Sequence, residues 1–179
     1  MVWGMFSWHC MGPLIPVKHS LNAQGYLSII ADQVHPVMLT LYPAGDGYFQ
    51  QDNAPCHKVG IVLWWFEEHD GHFTLLRWPV QSPDLNPIEN LWDEIERGIR
   101  QLDPAPSNLT DLESAIHRLW SQIPQTTYQH LIESIPRRIH AVLRAKGGPT
   151  LYWGGGHNNL ATQCICMQFK TIWFSSFIP

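Results

Sequence analysis

Two stretches, FQQDNAPCH at 49–57 and WPVQSPDLNPIENLW at 78–92, decide how this chain reads. Tyr48–Asp52 has strand composition, which leaves Asp52 at a strand end beside the Asn53–His57 loop. Asn86 is a favoured N-cap and Pro87 suits a first helical position, so Glu89 falls in the first turn of a helix. Two carboxylates on different rigid elements can bind divalent cations, and paired cations can drive phosphoryl transfer on nucleic acid.

Each acid also has a purely structural reading. Asp-Asn-Ala-Pro is turn chemistry, because Asp and Asn favour turns. Glu89, three residues after Asn86, stands where a glutamate completes a capping box, and the helix N-terminus stabilises its ionised form. Asp84 is an alternative third acid or a turn residue. Asp93, one turn after Glu89, is either a neighbouring charge or solvated surface. His57 could orient a phosphate or a water, or simply be an exposed loop histidine. Cys56-His57 with Cys164-x-Cys166 matches no usual zinc-finger spacing. Arg137, Arg138, Arg144 and Lys146 form a basic stretch that could meet phosphates, or be a solvated helix face with cations near a C-terminus.

The bulk numbers narrow the class. At 179 residues with 45% hydrophobic content, the chain has the size and composition of one globular domain. A formal net charge of −4 argues against a free-standing basic DNA-binding module. Four scattered cysteines do not make a disulfide framework, which points to a reducing compartment, nucleus or cytosol. The apolar start MVWGMFSWHCMGPL lacks the basic region of a signal peptide, and no run reaches the ~18 apolar residues of a membrane helix.

Around the two stretches, Val2–Trp8 reads as a strand with Leu14–Val17 as its hairpin partner. Asn22 caps a helix to about Val34. Pro43–Gly47 is a turn, Lys58–His69 a helix with Val62, Trp65 and Phe66 inward, and Phe73–Trp78 a strand. The helix after Asn86 carries one apolar stripe of Ile88, Leu91, Trp92, Ile95 and Ile99. A Pro-rich linker at 103–107 precedes a capping box, Thr110-Asp-Leu-Glu113, and a helix with Leu112, Ile116, Leu119 and Trp120 inward. A last helical pair spans about Thr126–Lys146, broken near Pro136. Beyond Tyr152 no usable period remains, and residues 153–179 are expected to be a disordered tail.

VWG at 2–4, GPL at 12–14, QQDNAPCH at 50–57, WPVQSPDLNPIENLWDEIE at 78–96 and AKGGPTLY at 145–152 together resemble, in family order, the C-terminal part of a Tc/mariner-superfamily DDE transposase. The resemblance covers about residues 2–152, a partial catalytic domain. It implies an α/β, RNase H-like mixed sheet flanked by helices, and two Mg²⁺ or Mn²⁺ ions held by three carboxylates. Asp52 matches the family's second Asp and Glu89 its final Glu. Asn53 and His57, with Arg137 and Arg138, become candidates for supporting the site or touching DNA. The implied chemistry is in-line attack on phosphodiesters: water cleaves at the transposon end, and the freed 3′-hydroxyl then attacks target DNA. The implied partners are transposon-end and target DNA, with a homodimer admitted, no membrane, and the nucleus as location.

Two departures shape the expectation. The family's first Asp lies on a strand upstream of VWG, and Asp32, the earliest Asp here, falls in the helix after the hairpin and cannot replace it. That first strand is central and neighbours the Asp52 strand, so the sheet is expected to lack it. Marginal stability or a rearranged sheet follows, unless another segment fills the gap, for which Thr171–Phe174 is a candidate. The family's N-terminal DNA-recognition region has no counterpart either. The leading expectation is therefore a truncated, impaired strand-transfer enzyme. A non-catalytic domesticated DNA-binding or interaction protein, a non-functional transposon remnant and, weakest, a paired-acid glycosidase are the rivals.

Overall fold

In the computed structural model, which describes residues 1–18, 20–52, 54–77, 85–145 and 165–170, the fold is built on a five-stranded sheet. β1 (Val2–Phe6) pairs antiparallel with β2 (Met11–Pro16). After α1 (Ala23–Ile29) a π-helical turn at Ile30–Val34 leads into α2 (His35–Leu41). β3 (Tyr48–Phe49), α3 (Gly60–Glu68) and β4 (Thr74–Leu75) follow. Four further helices are α4 (Ile88–Arg100), α5 (Leu109–Gln122), α6 (Gln125–Glu133) and α7 (Ile135–Arg144). The last strand is β5 (Ile165–Lys170), and the order across the sheet is β2-β1-β5-β3-β4.

β1 explains the layering. All five of its residues are buried, as a strand covered on both faces requires. Alternation sends Val2 and Phe6 into a core with Ile88, Leu91, Trp92, Ile95, Ile116 and Trp120. Trp3 and Met5 point the other way, into a core with Tyr26, Ile30, Met38, Phe49, Val62 and Phe66. Helices therefore cover both faces, with α1–α3 on one and α4–α7 on the other.

The expected apolar stripe of α4 is buried in full. Each such side chain removed from water is worth about 1.5–3 kcal/mol, so this face anchors the helix that carries Glu89. Pro87 takes helical angles (φ −65°, ψ −20°) and the Asn86 carbonyl accepts from the Glu89 N–H at 3.2 Å. The helix thus starts one residue later than read: Pro87, not Asn86, takes the N-cap place, and Ile88 is the first helical residue. The cap of α5 differs: Asn108, not Thr110, accepts from the Asp111 N–H, at 2.9 Å. The helix begun at Asn22 also runs past Val34 to Leu41. Proline inside a helix clashes with the carbonyl four residues back, and the wider π turn just before Pro36 takes up that mismatch.

The larger departure is β5. Residues 153–179 read as a disordered tail and the sheet as open beside the Asp52 strand; of that stretch, 165–170 lies among the described residues. Instead Ile165–Lys170 lies between β1 and β3. It runs antiparallel to β1 (Met5 opposite Gln168, Phe6 opposite Met167) and parallel to β3 (Tyr48 opposite Ile165, Phe49 opposite Cys166). The physical reason is plain: strands with unpaired N–H and C=O groups on facing edges are satisfied by a strand laid between them. Thr171–Phe174, the segment considered for this role, lies outside the described residues.

Candidate active site

β3 ends at Phe49, and Gln50 and Gln51 continue buried to Asp52, so the chain leaves the sheet with Asp52 at its rim. A short 3₁₀ turn, Pro55–His57, folds His57 back under it. His57 is fully buried, with its Nδ1 2.7 Å from Asp52 Oδ1. The Ala54 N–H donates to the same oxygen at 2.9 Å. Tyr26 of α1 stacks on the His57 ring (centroids 3.8 Å apart, 29° between planes), and its hydroxyl donates to Gln51 Oε1. His57 is therefore not the exposed loop residue of the plain reading; it positions the carboxylate.

The electrostatics follow from these contacts. Burial pushes the Asp52 carboxyl up, but hydrogen bonds from His57 and the Ala54 N–H, with the electrostatic pull of His57, outweigh it and hold the group below its usual range. Asp52 stays ionised and half-exposed. Both hydrogen bonds use Oδ1, and Oδ2 has no hydrogen-bond partner among the described residues. An oriented carboxylate with one oxygen open suits a hard divalent cation.

Glu89 is half-buried in the first turn of α4. Asp93, one turn later, is exposed, as is Asp32 in the π turn. Among the described residues no three-ligand cluster of His, Cys, Asp or Glu includes Asp52 or Glu89. Asn53, Asp84 and Lys146 lie outside the described residues. Arg137 and Arg144 are exposed on α7. Arg138, considered as a phosphate contact, is buried instead: its Nε donates to Ser134 Oγ and an NH2 group to Asn90 Oδ1, each at 2.7 Å. That bond ties α7 to the residue beside Glu89. The Cys56 thiol is pushed up by burial, then by the charge of Asp52 against opposing backbone hydrogen bonds, which leaves it a poor thiolate ligand.

Tyr26, Gln51 and Asn90 were not singled out as site residues from the sequence. Tyr26 read as one apolar position among four on its helix. Only the fold shows its ring against His57.

A family described as DDE superfamily endonuclease matches residues 42–113, which include both Asp52 and Glu89. The chain is 42% identical over 154 residues to the transposable element Tcb1 transposase of Caenorhabditis briggsae, covering 85% of this chain and 54% of that protein. It is 42% identical over 156 residues to the Tc1 transposase of Caenorhabditis elegans, with the same coverage of 85% and 54%. The chain thus spans about half the length of these curated relatives. Among solved structures, the catalytic domain of Mos1 mariner transposase superposes with a TM-score of 0.67 at 17% identity, covering 78% of this chain and 69% of that one. The Mos1 catalytic domain with Raltegravir and Mn gives 0.65 at 17% identity, covering 78% and 70%. These superpositions establish the RNase H-like fold.

Proposed function

Because the chain belongs to the Tc/mariner superfamily of DDE transposases, we propose that its catalytic scaffold serves divalent-cation-dependent cleavage and joining of DNA strands. The observation that carries this reading is the Asp52 carboxylate, fixed through Oδ1 by His57 and Ala54, with Oδ2 open among the described residues. Asp52 and Glu89 would hold Mg²⁺ or Mn²⁺. When bound, such an ion stabilises charge on the attacking and leaving oxygens of a phosphodiester. Within the protein, His57 keeps Asp52 ionised and aimed, and Tyr26 keeps His57 in place. The N-terminus of α4 favours the ionised form of Glu89. DNA as partner, self-association as a homodimer and a nuclear location belong to the same reading.

Two shared cations need a further carboxylate, and β5, the strand beside β3, has the sequence ICMQFK with no acidic residue. The same observation favours a second reading, a DNA-binding or interaction protein that reuses the scaffold without catalysis.

Nicking of supercoiled DNA bearing transposon ends, with Mn²⁺ and with EDTA, separates them. The first reading expects slow, cation-dependent nicking that Asp52→Ala and Glu89→Ala each abolish. Nicking that persists in both variants or in EDTA would sink it. Cation-independent binding that survives both substitutions and falls steeply with salt would establish the second.

A further inference from the structure

Away from Asp52, three imidazoles converge where α2, the end of α3 and the turn before β4 meet. His35 is the first residue of α2, His69 caps the C-terminus of α3, and His72 lies in the following turn. Their ligating nitrogens all lie within 4.8 Å of one another. His35 Nε2 is 2.8 Å from His72 Nδ1.

The rings are oriented by their surroundings. His69 Nδ1 donates to the Trp65 carbonyl at 2.7 Å, which in the neutral ring leaves the Nε2 lone pair available. Trp65 stacks on His69 (centroids 4.0 Å apart, 17°) and meets His35 edge-on at 5.4 Å. His35 in turn stacks on His72 at 4.9 Å.

We propose that His35, His69 and His72 form a three-histidine site for a divalent transition-metal ion of the Zn²⁺ class, with a fourth position open to solvent beside the exposed His72. Imidazole nitrogens select Zn²⁺, Ni²⁺ or Cu²⁺, whereas Mg²⁺ and Mn²⁺ take oxygen ligands. A tetrahedral ion with nitrogens at ~2.0–2.1 Å holds its ligand atoms about 3.4 Å apart. The ligating atoms lie within 4.8 Å of one another, with His35 Nε2 and His72 Nδ1 at 2.8 Å, so small ring movements would reach that spacing. A bound ion would clamp α2 to α3 and to the β4 turn. It shares no residue with the Asp52 and Glu89 site; in sequence His35 precedes the Asp52 loop and the His69-x-x-His72 pair follows it.

The test is isothermal titration of the untagged, chelator-stripped chain with Zn²⁺, with Co²⁺ as a spectroscopic probe and thermal melting as a second readout. The expected result is one equivalent bound in the presence of excess Mg²⁺. The Co²⁺ spectrum should show ligand-field bands without thiolate charge transfer, and Zn²⁺ should raise the melting temperature. His69→Ala and His72→Ala should each weaken binding by about tenfold or more, while Asp52→Ala retains it. His72 is exposed, so His72→Ala keeps the fold and is the decisive variant. Absence of one-equivalent binding overturns the proposal. So does Zn²⁺ stabilisation undiminished in His72→Ala, or a thiolate band that vanishes in Cys164→Ser.

Discussion

Gly4→Ala is the sharpest probe of how the helical layer is set on the sheet. A Cβ at position 4 would lie 3.0 Å from a ring carbon of Trp120, 3.1 Å from a methyl of Leu14 and 3.2 Å from a ring carbon of Trp92. Leu14 can rotate, but the two indoles have little room. They stack at 5.2 Å and 26°, both are buried, and Trp120 Nε1 donates to the Gly12 carbonyl at 3.0 Å. Overpacking of this kind costs about 1–3 kcal/mol. Loss of glycine's freedom in the unfolded chain offsets roughly 0.4–1 kcal/mol. The net expectation is destabilisation by about 1–2 kcal/mol, a fall in Tm of about 2–8 °C for a domain of this size. Urea titration followed by tryptophan fluorescence, with circular dichroism melts, measures it. Gly60→Ala is the control, because nothing lies within 4 Å of a Cβ there; it should leave stability unchanged or slightly raised. A Gly4→Ala protein as stable as the parent, with Gly60→Ala behaving alike, would refute the idea that glycine is required by close approach.

Further outcomes follow from the same contacts. Deleting residues 153–179 should abolish the cooperative melt and expose dye-binding apolar surface, since β1 and β3 each lose a paired neighbour; a shortened chain melting sharply within a few degrees of the parent would contradict this. Asn108→Ala removes the acceptor for the Asp111 N–H and should lower stability by about 1 kcal/mol in denaturant titration, with Asn108→Asp recovering most of it. Arg138→Ala should destabilise by about 1–3 kcal/mol, because two hydrogen bonds made by a buried guanidinium are lost. Replacing Glu94, whose pair with Arg97 is exposed, should change stability by less than about 0.5 kcal/mol.

What the sequence made legible was local and periodic. The stripe of α4 declared itself because five large apolar residues repeat at helical spacing after a proline start, and all five are buried. Asp52 and Glu89 stood out because their flanking motifs are long, and the stretch matched by the DDE superfamily endonuclease family, 42–113, includes both. The rest depended on contacts between distant segments. Nothing in ICMQFK marks it for the middle of a sheet until β1 and β3 present facing edges. Tyr26 and His57 are 31 positions apart in number yet stacked, so their joint hold on Asp52 had no local signature. Arg138 looked like part of a basic surface; burial against Asn90 gave it a different role. The histidine cluster joins residues from two helices and a turn, and only its 69–72 half has a spacing that could be seen.

The position of β5 also fixes an order of events during synthesis. The two halves of the sheet, β2-β1 and β3-β4, are made early, while the strand that joins them is translated after α7. In a nascent chain ending before residue 165, β1 and β3 therefore stand without the strand with which each of them pairs. Its final closure is long-range, which makes it slow compared with helix formation. During that interval the same slot is open to the last strand of a neighbouring copy on a polysome, so crowding of ribosomes on one message should favour exchange of this strand between chains.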